Sequence, residues 1–172
     1  FSPRRTDQPI SGAGPFYSFE SAGGNNMEAS TVATTVTDNF SLEMWIKLVT
    51  PYVTLNNNAV LYNGQGGSDG WGILFDANDS FKYLAGGVGV GSSSTPISRD
   101  AWHHIAVVRA SGVWKYYIDG AINVSNAGTH TPNTPANTVQ VSAGSAQRRY
   151  CHMAVYDVAL TATDVNDHYT AA

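Results

Sequence analysis

The chain has 172 residues, 42% hydrophobic and 11% aromatic, which suits a single domain with a substantial core. Only 13% of residues are charged and the formal net charge is -4, so no basic stripe is present to hold a nucleic acid. The single cysteine, Cys151, excludes an internal disulfide, and no apolar run reaches membrane-spanning length.

Residues 1-15 carry three prolines and two glycines without periodicity and read as an extended arm or linker. The folded part is expected over 16-172. "FSLEMWIKL" (40-48) sets Phe40, Leu42, Met44, Ile46 and Leu48 on one face and Ser41, Glu43, Trp45 and Lys47 on the other, a half-buried strand. "NAVLYN" runs to the turn "GQGGSDG". "WGILFD" and "FKYLAG" form a hairpin across "ANDS". "AWHHIAVVR" turns at "ASG" into "VWKYYID", and Gly120 turns that strand into "AINV". A turn-rich loop fills 125-138. "VQVSAG" and "RRYCHMAVYD" are the last strands. Thr161 and Asp164 stand at capping-box spacing ahead of a short closing helix, with Tyr169 placed to pack it down. Many short strands at even spacing, with one late helix, predict an all-β, two-sheet antiparallel sandwich.

The order "FSLEMWIKL", "GWGILFD", "AWHHIAVVR", "YYIDG" and "VYDVAL" resembles the laminin-G-like, or concanavalin A-like, jelly rolls, to which the pentraxins are related. The resemblance covers roughly 16-169. It implies a jelly roll of two curved sheets that binds glycans or proteins, in some relatives with calcium.

Candidate chemistry is sparse. His103 and His104 are adjacent on a strand, so they point to opposite sides of the sheet and cannot share one metal. Glycosidases need two facing carboxylates. The three glutamates, Glu20, Glu28 and Glu43, lie in separate segments, which leaves a glycoside hydrolase as a minor alternative. No Gly-x-Ser-x-Gly elbow marks a serine nucleophile. Cys151 and His152 face opposite ways, and Cys151 reads as a small buried residue. Acidic residues that hold calcium in pentraxin-like relatives are replaced by "VSAGSAQRRYCHM", with Arg148 and Arg149. Calcium is left to other oxygen donors: Asn25 and Asn26, or Asp69, Asp76 and Asp79. No other cofactor is expected.

A sugar site needs flat aromatic faces beside hydrogen-bonding side chains. Asn63, Asp69 and Trp71 flank the polar turn 64-70, and Tyr83 lies on the paired strand. Lys115 and Tyr117 share the face of "VWKYYID" opposite Trp114, Tyr116 and Ile118. These six, Asn63, Asp69, Trp71, Tyr83, Lys115 and Tyr117, are the candidate ligand contacts. The plain alternative for each aromatic is that it fills the gap between the sheets. Trp45 and Trp102 are assigned to the core. Tyr52 and the loop tip 129-137 are further surface candidates.

The expectation is a non-catalytic recognition or adhesion module for a glycan or surface protein, on an extracellular, cell or virion surface. The alternative is a structural subunit of a viral fibre, tail, capsid decoration or surface filament, joined to its neighbours through residues 1-15. Neither a nucleic-acid partner nor membrane insertion is expected.

Overall fold

The computed structural model describes residues 19-21, 27-28, 35-50, 58-141 and 148-172. The arm 1-15, Asn25, Asn26 and Tyr52 lie outside the described residues. Among these described residues, twelve strands and one helix follow in chain order: β1 (Phe19–Ser21), β2 (Met27–Glu28), β3 (Phe40–Leu48), β4 (Asn58–Asn63), β5 (Trp71–Phe75), β6 (Phe81–Ala85), β7 (Gly89–Val90), β8 (His103–Ala110), β9 (Val113–Ile118), β10 (Ala121–Gly128), β11 (Val139–Val141), β12 (Arg148–Tyr156) and α1 (Ala162–Thr170). They build two antiparallel sheets. The first runs β1-β12-β3-β8-β9-β10 and the second β2-β11-β4-β5-β6-β7. This is the two-sheet sandwich expected from the strand pattern.

The tight turns explain two of the hairpins. Between β8 and β9, Ser111 and Gly112 take φ of 49° and 81°; between β9 and β10, Asp119 and Gly120 take 50° and 76°. Paired positive φ values match the twist of the flanking strands, which is why Ser-Gly and Asp-Gly occupy these positions.

The core lies between the sheets. Phe40, Leu42, Met44, Ile46 and Leu48 of β3 all point into it, as their alternation predicts. Four rings join the two sheets in a row. Trp71 stacks on Phe40 at 4.2 Å, Phe40 meets Trp114 edge-on at 5.3 Å, and Trp114 stacks on Tyr83 at 4.1 Å. Each polar handle in the row is satisfied. Trp71 Nε1 donates to the Val36 carbonyl at 2.8 Å and Trp114 Nε1 to the His130 carbonyl at 2.8 Å. Tyr83 Oη shares a 2.6 Å hydrogen bond with His130 Nδ1. Arg109, at the end of the same layer, lies over the Trp114 ring and donates to the Thr37, Gly112 and His130 carbonyls.

A second apolar layer sits outside the first sheet. Ala106 and Val108 of β8 and Tyr117 of β9 are covered by Val165 of α1. Trp45 and Tyr169 stack at 5.6 Å across the same contact. The helix starts where the capping box places it. Asp164 N–H donates to Thr161 Oγ1 at 3.1 Å, and Thr161 N–H donates back to Asp164 Oδ2 at 2.8 Å. Trp45 is therefore buried, but under the helix rather than between the sheets. Trp102 is only half-buried and is not a core residue.

Candidate functional site

The six sequence candidates do not converge. Trp71 and Tyr83 are fully buried in the aromatic row and offer no face to a ligand. Asn63 is fully buried as well. Tyr117 keeps its predicted outward phase on β9, but α1 covers it, leaving 3% exposed, and burial raises its phenol pKa. Lys115 is half-exposed on that same outer face, on the opposite sheet from the β4–β5 turn. Asp69 is spent on its own loop. Its carboxylate accepts the Gln65 N–H at 3.0 Å, the Ala136 N–H at 3.2 Å and Ser68 Oγ at 3.1 Å. Burial works to raise its pKa, and those hydrogen bonds more than offset it, so the group is held ionised.

The carboxylates proposed for calcium are also engaged separately. Asp76 accepts Ser93 Oγ and the Asn78 N–H, while Asp79 is paired with Arg99 at 2.8 Å. Among the described residues no three His, Cys, Asp or Glu side chains are grouped to hold a metal ion.

A groove opens on the outer face of the second sheet, beside two of the residues expected to bind. It has a volume of about 430 Å³ and is lined by Ala59, Tyr62, Leu84, then Gly64, Gln65 and Gly66 of the β4–β5 turn, with Asn137 and Gln140. That volume lies within the range of small-ligand sites, roughly 300–1,000 Å³. Tyr62 and Gln140 are direct cross-strand partners on β4 and β11. On its other side Tyr62 faces Gly72 of β5, where a Cβ would come within 2.5 Å of the Tyr62 ring, so glycine lets the ring lie down on the sheet. Tyr62 Oη donates to the Asp69 carbonyl at 2.5 Å, which ties the ring to the turn that walls the groove. Burial, followed by the charge of Asp69, pushes the Tyr62 phenol far up, so it stays a neutral donor. The result is an apolar floor of Tyr62 and Leu84 with three primary amides, Gln65, Asn137 and Gln140, at its edges. None of the described lining residues is charged.

A polar cluster lies under α1. Glu43, 6% exposed on the outer face of β3, accepts Tyr156 Oη at 2.6 Å and His168 Nδ1 at 3.0 Å, with His104 Nε2 at 3.5 Å. Burial acts to raise its pKa, but the His104, Tyr156 and His168 contacts win and bring it down to about 2. This carboxylate ties β8, β12 and α1 to β3. His103, one residue from His104, faces away and bonds instead to Asp119 and Ser98. The two histidines serve different clusters, as strand geometry requires.

Comparison with known proteins bears on this geometry at the level of the fold. The chain superposes on Trypanosoma rangeli sialidase with a TM-score of 0.63 at 14% identity, over 90% of this chain and 27% of that one. It superposes on the binding domain of botulinum neurotoxin DC, in a complex with SialylT, with a TM-score of 0.63 at 13% identity, over 98% of this chain and 45% of that one. The chain thus spans about a quarter of the sialidase and under half of the toxin fragment. No curated protein matches the sequence at a significant level. A laminin-G-type family model matches residues 21–166, and the chain accordingly belongs to the concanavalin A-like lectin/glucanase superfamily.

Proposed function

We propose that the protein is a carbohydrate-recognition module that takes a neutral glycan in the Tyr62 groove. One observation carries the reading: three primary amides edge an apolar floor in a groove with no charged lining residue among those described. Amides both donate to and accept from sugar hydroxyls, and the floor of Tyr62 and Leu84 suits the apolar CH patches of a pyranose. A sialic acid carboxylate would call for a guanidinium or ammonium partner, so recognition by the sialic-acid-binding neighbours is not carried over with the fold. Binding is favoured over glycoside hydrolysis because Glu43, the one glutamate among the described side chains, is committed beneath the helix. The low charge of the surface suits display outside a cell or on a virion.

A glycan array followed by calorimetry tests this. Neutral oligosaccharides are expected to bind, and sialylated ones to gain nothing from their carboxylate. Gly66→Leu is the blocking variant: a Cβ there would sit 3.3 Å from Leu84 Cδ2 and 3.8 Å from Tyr62 Cζ, so a longer side chain fills the groove. It should weaken binding at least tenfold with little change in melting temperature. Gln140→Ala should cost about 2–10-fold, the worth of one hydrogen bond. Undiminished binding by Gly66→Leu would place the ligand elsewhere.

A further inference from the structure

We infer that Ser98, His103 and Asp119 form a nucleophilic site for carboxylic esters exposed on larger molecules. Ser98 Oγ lies 2.8 Å from His103 Nε2, and His103 Nδ1 lies 2.9 Å from Asp119 Oδ2. The polarity follows from the groups themselves. The Asp119 carboxylate only accepts, so Nδ1 carries the proton. In the neutral ring Nε2 is then the acceptor, and Ser98 must donate its hydroxyl proton to it. A nucleophile, a base on its proton and a third group orienting that base constitute the arrangement that activates serine.

The parts are held on both sides. Asp119 sits at a positive φ of 50° in the β9–β10 turn, where its Oδ1 accepts the His104 N–H at 2.9 Å and its own N–H donates to the His104 carbonyl at 2.8 Å. Burial works to raise its pKa, but the His103 and His104 contacts lower it overall, so it remains the anion that an imidazolium needs beside it. The segment carrying Ser98 is pinned by Ile97 N–H on the Asp79 carbonyl at 3.1 Å and by Asp100 N–H on the Leu48 carbonyl at 2.8 Å. Arg99, next to the serine, is paired with Asp79. Ser98 itself is exposed, whereas His103 is half-buried. An acyl group carried on a polymer or on another surface therefore reaches the hydroxyl without being engulfed.

In the reaction, Ser98 Oγ bonds to the ester carbonyl carbon as its proton passes to His103 Nε2. The tetrahedral adduct collapses, the carbon–alkoxy bond breaks, and the leaving alkoxide takes that proton and departs as the alcohol. Water then attacks the acyl-serine with His103 again accepting a proton. The acid leaves and Ser98 recovers its hydrogen. Asp119 acts as a positioning residue through His103.

Intact-mass spectrometry tests the site with a fluorophosphonate and with p-nitrophenyl acetate as probes. The folded wild-type chain should take one adduct, mapped by peptide sequencing to Ser98, and heat-denatured chain should take none there. Ser98→Ala should take none. Asp119→Asn tolerates the positive φ and still accepts the His104 N–H, but no longer fixes the proton on Nδ1 as an anion does. It should label at least tenfold more slowly while melting close to wild type. An unlabelled folded wild type, an adduct on another residue, or equal labelling by Asp119→Asn would each overturn the assignment.

Discussion

Trp71→Ala is expected to destabilise the protein by about 3–5 kcal/mol, the range for deleting a large buried aromatic. The midpoint of urea unfolding should fall accordingly, and the melting temperature by roughly 6–20 °C for a domain of this size. The cause is the aromatic row. Trp71 stacks on Phe40 from the opposite sheet, and its indole N–H satisfies the Val36 carbonyl. Removing it opens a cavity at the junction of the two sheets and deletes the indole hydrogen bond to the Val36 carbonyl. Any lost glycan binding in this variant should track the fraction unfolded and return under conditions that restore folding. A variant that stays as stable as wild type and yet fails to bind would reinstate Trp71 as a ligand contact.

Glu43→Gln is expected to cost about 2–4 kcal/mol, because two imidazoles and a phenol lose a common anionic acceptor in a site closed by α1. The pH dependence has a definite sign. The Glu43 carboxyl drops from its ordinary 4.5 to about 2 on folding, so the unfolded chain binds this proton more readily than the folded one. The stabilisation is complete above about pH 4.5 and is lost as the pH falls through 2. Once partial solvent screening is allowed for, this limb amounts to about 2 kcal/mol. His104, His168 and Tyr156 all face the carboxylate, and Asp69 and Asp119 also have lowered pKa values. The difference between wild type and Glu43→Gln isolates the Glu43 contribution. That difference, measured by urea unfolding, should shrink between pH 5 and pH 2; a constant difference would contradict the role given to Glu43.

Much of the fold was legible because its signals are local. The alternation of 40-48 places five residues in the core, the Ser-Gly and Asp-Gly pairs mark the turns on either side of β9, and Thr161 with Asp164 caps the helix. The strand phase also separates His103 from His104. The candidate site was not legible, for two physical reasons. Strand phase says which face a side chain takes, but not what covers that face: Tyr117 does point outward, and α1 then buries it. The groove is built from β4, its following turn, β6, the loop before β11 and β11 itself, which only sheet order brings together. Nothing in the sequence pairs Tyr62 with Gln140. Trp71 and Tyr83 misled for the opposite reason, since a polar turn beside an aromatic residue resembles a sugar site even when the ring points inward. The absence of a nucleophile elbow likewise said nothing about Ser98, which meets His103 across a loop, while His103 meets Asp119 across a hairpin.

The claim that the Tyr62 groove is the recognition surface is tested most directly by following backbone amide resonances during titration with a neutral oligosaccharide chosen from the array. Saturable shifts are expected at Gly64, Gln65, Gly66, Leu84, Asn137 and Gln140, with their loss in Gly66→Leu. Shifts that leave these residues unmoved and gather on the outer face of the first sheet, around Lys115, would contradict it.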